Sequence, residues 1–139
     1  MTNPEDVVDR LCAAVNRHDL DDLAACFAAD YRNETPAHPE RGFVGREQVR
    51  HNWEQLFQGI PDINSRVTAR SRTDSSVWTE WEMRGTRGDG QRHLMRGVII
   101  FGVTASVIAD ARFYLEPVDV GGGGVDDAIE RLVATEDRR

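Results

Sequence analysis

Phe27-Ala-Ala-Asp-Tyr-Arg-Asn-Glu-Thr-Pro36, followed after a short loop by Phe43-Val-Gly-Arg-Glu-Gln-Val-Arg-His-Asn-Trp53, decides how the rest of this chain is read. Its first half leaves one helix and its second half enters another. Leu20, Leu23 and Phe27 form the apolar stripe of a helix that Asp19 can cap, with Asp21 and Asp22 at the positive end of its dipole. Ala28-Ala-Asp30 reads as the turn that ends this helix, and Tyr31 to Thr35 as a short strand. Pro36-Ala-His-Pro39 cannot continue a ladder, since its two prolines lack the N–H a ladder needs. Gly45 then opens a helix whose Val49, Trp53, Leu56 and Phe57 share one face, and Gly59-Ile-Pro-Asp62 stops it.

Towards the N-terminus, Val8, Leu11, Cys12 and Val15 recur at helical spacing, with Pro4 suited to the first turn and His18-Asp19 as the break. Towards the C-terminus, Asn64 to Arg72, Ser76 to Arg87, Arg92 to Thr104 and Val107 to Pro117 read as four strands. Arg87-Gly-Asp-Gly90 supplies the hairpin chemistry between the middle pair. Three helices followed by a meander predict an α+β fold. Val98-Ile-Ile-Phe101 is apolar at consecutive positions, which predicts a strand covered on both faces, one by the helices and the other by a second subunit. Residues 1–118 are expected to form the domain and 119–139 a glycine linker, Gly121 to Gly124, with a tail in which Val125, Ile129, Leu132 and Val133 repeat at helical spacing. That tail reads either as a cover for a site or a partner subunit, or as a frayed terminus.

Composition narrows the function classes. A net charge of −7 over 139 residues repels phosphate backbones, so no nucleic-acid partner is expected. All 17 basic residues are arginine, which removes lysine Schiff-base chemistry and a P-loop site. No apolar run is long enough to span a bilayer and no export signal opens the chain, so no membrane partner and a cytoplasmic location are expected. Cys12 and Cys26 are read as buried, reduced thiols. His18, His38, His51 and His93 show no i, i+4 pair, so no metal site is expected, and nothing calls for a cofactor.

Asn16-Arg-His-Asp-Leu-Asp-Asp-Leu23, Glu34-Thr-Pro36, Gly45-Arg-Glu47 and Phe113-Tyr-Leu-Glu-Pro-Val118 together resemble the NTF2-like superfamily, in its SnoaL-like branch, over roughly Glu5 to Pro117. The resemblance implies a cone: three N-terminal helices packed on a strongly curved, mainly antiparallel sheet around a hollow. It also implies where chemistry would sit. The base, tyrosine and protonated acid of ketosteroid isomerases fall on Thr35, Leu11 and Ile99. The arginine and two aspartates of limonene-type epoxide hydrolases fall on Trp81, Met83 and Phe113, and the acid of SnoaL-type cyclases falls on Ala111, one residue from Asp110. None of the substituted groups can act as a base or hold an oxyanion in the usual way, so the catalytic residues stay unassigned.

Carried onto the strands, the resemblance turns Val77, Thr79, Trp81 and Met83, then His93, Met95, Ile99 and Phe101, then Ala111, Phe113 and Leu115 inward. Trp78, Glu80, Glu82, Val98, Ile100 and Tyr114 turn outward, a mixture that suits a homodimer through the outer sheet face. Glu80 and Glu82 read as cross-strand ions for Arg84, Arg96 or Arg112. The expected ligand-binding set is Asn33, Thr35, Trp53, Trp81, Met83, His93, Met95, Ile99 and Phe113. The expected partner is a small hydrophobic or polycyclic molecule, handled by a binding domain or a cofactor-independent isomerase or cyclase. His38 and His93 are the first candidates for any proton transfer. The other reading is a non-catalytic dimerisation or regulatory module whose hollow is filled by Trp81, Met83 and Phe113.

Overall fold

A computed structural model describes residues 3–134; residues 1, 2 and 135–139, within the bounds expected for domain and tail, lie outside the described residues. The first helix, α1 (Pro4–Arg17), starts where Asn3 accepts a hydrogen bond from the Glu5 N–H and ends at His18, whose left-handed backbone turns the chain. Asp19 caps α2 (Leu20–Ala25) by accepting from the Asp22 N–H at 3.0 Å. Then come β1 (Phe27–Glu34), β2 (Phe43–Val44), α3 (Arg46–Gly59), β3 (Asn64–Thr73), β4 (Ser76–Thr86), β5 (Arg92–Thr104), β6 (Val107–Pro117) and α4 (Val125–Val133). Gly45 enters α3 at φ +114, a conformation that side chains rarely adopt.

One six-stranded sheet runs in the order β2-β1-β6-β5-β4-β3, antiparallel throughout except for the parallel β1–β6 pair. This is the expected α+β class. Two details differ from the sequence reading. Phe27 is the first residue of β1 rather than the last of the α2 stripe, because it pairs in parallel with Ile108 of β6. Ala28-Ala-Asp30, read as a turn, is where β1 slips register before pairing resumes at Arg32 and Asp110. The short strand β2, pairing Phe43 with Asn33 and Val44 with Arg32, had no signal of its own.

The core lies between the helices and the concave sheet face. Val8, Leu11 and Val15 of α1 and Leu23 of α2 pack over Val77, Trp81, Ile99, Phe101 and Ala111. Asn16 clamps α1 to β3: its amide donates to the Ser65 carbonyl at 2.9 Å and accepts from the Ser65 N–H at 2.7 Å. His18 stacks on Phe57 and its Nε2 lies 2.8 Å from the Ile63 carbonyl, which anchors both helices to the same corner. Gly97 lets β5 and β6 approach closely, since a Cβ there would overlap the Tyr114 carbonyl oxygen.

The outer face carries a row of alternating charge across four strands. Ladder pairing sets Arg66 beside Glu82, Glu82 beside Arg96, and Arg96 beside Glu116. Glu82 points outward as the alternation predicts, yet only 6% of it is exposed, because Arg66, Arg84 and Arg96 close over its carboxylate. Glu80 and Arg112 take no part in the ion pairs among the described residues. Ile100 is buried on this face, whereas Trp78 and Tyr114 stay 45% and 42% exposed. The helix α4 forms as its spacing predicts, but Val125, Ile129, Leu132 and Val133 are all exposed.

Candidate functional site

A cavity of about 480 Å³ lies between α3 and the sheet. Each wall follows from local periodicity. Val49, Asn52, Trp53 and Leu56 sit at i, i+3, i+4 and i+7, so α3 turns one face to the hollow. Tyr31, Asn33 and Thr35 sit at period two along β1 and its exit and face it together. Met83 and Met95, directly paired on β4 and β5, join Phe113 and Leu115 of β6 to make the floor. Phe43 of β2 and Arg41, at the end of a 3-10 turn (Pro39–Arg41), form the rim.

The polar part of this wall is small and ordered. Tyr31 is held edge-on between Phe27, at 4.8 Å, and Phe43, at 6.1 Å. Its hydroxyl donates to Asn33 Oδ1 at 2.8 Å, a buried bond that fixes the amide. Burial, and after it the charge of Asp110, pushes the Tyr31 phenol far above its ordinary range, so it stays protonated and cannot serve as a base. No Asp or Glu of the described residues borders the cavity, and Arg41 is its one formal charge.

Of the residues expected to bind ligand, the fold brings Asn33, Thr35, Trp53, Met83, Met95 and Phe113 to one cavity wall. Trp81 and Ile99 face inward but lie in the solid core, as do Leu11 and Ala111. His93 does not border the cavity. Its Nε2 is buried with no hydrogen-bond partner among the described residues, and burial, then the charge of Arg87, lowers its pKa. His38 is also turned away, with Nε2 3.1 Å from a Glu116 carboxylate oxygen at the end of the outer charge row. Asp110 lies against Gly102 rather than in the hollow. Sequence reasoning missed Tyr31, Arg41, Phe43 and Asn52 as wall residues. For Tyr31 the signal was present, since it shares a strand face with Asn33.

Among the described residues, no three His, Cys, Asp or Glu side chains gather as metal ligands would. No helix of the described residues is long and apolar enough to cross a membrane.

The SnoaL-like domain family matches residues 8–111 in sequence. No curated protein matches the chain. Among solved structures, IdmH of Streptomyces antibioticus, described as a candidate polyketide cyclase, superposes with a TM-score of 0.71 at 22% identity, covering 82% of this chain and 92% of that one. A protein of ketosteroid isomerase-like fold from Catenulispora acidiphila, in complex with trimethylamine, gives 0.69 at 21% identity over 81% of this chain and 87% of its own. A SnoaL-like candidate polyketide cyclase from Shewanella putrefaciens gives 0.70 at 12% identity over 84% and 81%. These likenesses establish the NTF2-like fold.

Proposed function

This chain belongs to the SnoaL-like domain family, and from that membership together with its cavity we propose that it binds a small hydrophobic or polycyclic molecule between α3 and the concave sheet. The cavity carries the reading: about 480 Å³ walled by Phe43, Trp53, Met83, Met95 and Phe113, a size and apolarity suited to small-molecule sites. The aromatic rings give rigid walls and the thioethers adaptable ones. A polyketide-like body, as the description of IdmH suggests for that protein, suits such walls. An ammonium such as the trimethylamine of the Catenulispora protein would find aromatic faces here but no carboxylate among the described residues.

The reaction class assigned to this site is a cofactor-independent isomerisation or cyclisation that relies on the shape of the walls. Tyr31 stays protonated and is no base near neutrality, and a guanidinium offers hydrogen-bond donors but no acceptor. The acids of catalytic relatives are replaced, on this reading, by Thr35, Met83 and Phe113. A cytoplasmic setting belongs to the same proposal, and the unpaired thiols Cys12 and Cys26 are compatible with it.

The test is a thermal-shift screen of polycyclic ketones, phenols and acids against the wild type and Met95→Trp, whose indole would occupy the hollow. A ligand that binds only the folded state stabilises it by about 2.7 kcal/mol at a hundred times its Kd. Shifts in the wild type that vanish in the variant are expected. A wild type that answers no member of the panel makes the protein a module with an unused hollow, and the reading fails.

Association is supported by a separate observation, and we propose a homodimer through the outer sheet face. The row Arg66, Glu82, Arg96, Glu116 is complementary to its own reverse, so a two-fold axis lying between the two faces, parallel to the strands, would set Arg66 against the partner's Glu116 and Glu82 against the partner's Arg96. The same axis would cover Trp78 and Tyr114. Sedimentation should show a dimer, and Trp78→Glu with Tyr114→Glu a folded monomer. A monomeric wild type at high concentration removes the proposal.

A further inference from the structure

The hollow offers hydrogen-bond donors and one positive charge but no acceptor charge, and we infer that its ligand is an acid: an apolar ring system with an acceptor oxygen against Asn33 and an anionic oxygen against Arg41. This rests on the reading of the cavity as a ligand site and adds the polarity of what enters it. Asn33 is 8% exposed, and its Oδ1 is already engaged by the Tyr31 hydroxyl. The amide NH2 is therefore the half left for a ligand, and among the described residues it donates to nothing.

A ligand that enters the hollow displaces water from this donor, so a ligand acceptor restores its hydrogen bond while a ligand donor leaves it unpaired. The Tyr31 hydroxyl cannot substitute, because its one proton is already given to Asn33.

The charge distribution points the same way. The chain holds 24 acidic residues, yet none of those described borders the cavity. Arg10, Arg50, Arg70 and Arg96 each pair with a carboxylate, whereas Arg41, at the rim, is in no ion pair among the described residues. A guanidinium matches a carboxylate with two parallel N–H groups. An ammonium-bearing ligand would meet Arg41 at the rim and a donor inside.

The experiment is calorimetric titration of 2-naphthoate, its methyl ester and 2-naphthylmethylammonium into the wild type, Arg41→Gln and Asn33→Asp. The last variant keeps an acceptor for the Tyr31 hydroxyl and removes the donor. In the wild type the acid should bind more than about tenfold tighter than the ammonium, with the ester between them. Arg41→Gln should weaken the acid about fivefold and leave the ester unchanged. Asn33→Asp should weaken both acid and ester. Equal binding of the three probes, or naphthoate indifferent to Arg41→Gln, overturns the inference while leaving the cavity a ligand site. Failure of all three, at millimolar concentration, to bind the wild type removes the ligand-site reading itself.

Discussion

Glu82 and Arg96, neighbours across β4 and β5, meet on the outer sheet face with the arginine Nε donating to the carboxylate at 2.8 Å. The Arg96 hydrogen bond, with help from Arg84 and the charge of Arg66, holds the Glu82 carboxyl below its ordinary range. A folded-state pKa below the unfolded one gives stability that is complete above the ordinary glutamate range and lost as the pH falls from that range through the lowered folded-state value. The wild type is expected to lose melting temperature on acidification from neutrality through that range. Glu82→Gln should lower the melting temperature at pH 7 and flatten the acid limb. Asp22 and Asp62, also lowered by their hydrogen bonds, leave some of the slope in place. Calorimetry across pH reads both.

The Tyr31 and Asn33 pair should behave as a unit. Tyr31→Phe is expected to cost about 1 kcal/mol, the net worth of one hydrogen bond, whereas Asn33→Leu strands a buried hydroxyl and should cost about 2 kcal/mol. The double variant should cost less than the two together, a coupling that denaturant unfolding of all four proteins would reveal.

Gly97 is expected to tolerate no side chain. A Cβ there would overlap the Tyr114 carbonyl and stand 2.9 Å from the Leu115 Cα, both backbone atoms of the paired strand. Gly97→Ala should destabilise the fold by about 3 kcal/mol in urea unfolding. Gly88→Ala, in a hairpin with open space around it, is the control that should change little.

Ala105 offers the opposite case. It turns from β5 into β6 at φ +51, a conformation costly for alanine and easier for asparagine. Ala105→Asn should raise stability by about 0.5 kcal/mol, seen as a higher melting temperature.

His93 is expected to make the protein sensitive to mild acid. Burial, and the charge of Arg87 after it, lower its folded pKa, so between the folded and unfolded values the unfolded chain binds more protons. Stability should therefore fall as the pH drops through the ordinary imidazole range. His93→Leu removes an unpartnered buried nitrogen and should flatten that segment of the melting profile without lowering the melting temperature at pH 7. A steeper profile in the variant would count against this account.

Most of the fold was legible because its signals are local. Strands Arg92–Thr104 and Val107–Pro117 begin and end where apolar alternation does, and His18-Asp19 marks the helix break with residues suited to a left-handed turn and a cap. Phe27 was misread because it satisfies two periods at once: four residues after Leu23 it fits a helix stripe, and four before Tyr31 it fits a strand face. Its pairing with Ile108, some eighty positions away, chose the strand. Phe43 and Val44 are too few to carry any period, and only the neighbouring Asn33 and Arg32 make them a strand. His38, attractive for its chemistry, is held at Glu116 by a contact that no spacing encodes, and His93 does not border the cavity.

By itself the sequence determined the order of the main helices and of the four long strands, and which residues of such a strand share a face, since a side chain's direction follows from its place in a period of two or 3.6. Only the tertiary structure decided which inward residues border empty space. Trp81 and Met83 point the same way from one strand, yet the first is sealed in the core and the second walls the hollow. Whether a gap opens above a residue depends on how far a twisted sheet diverges from the helix over it, a distance set between surfaces remote in sequence.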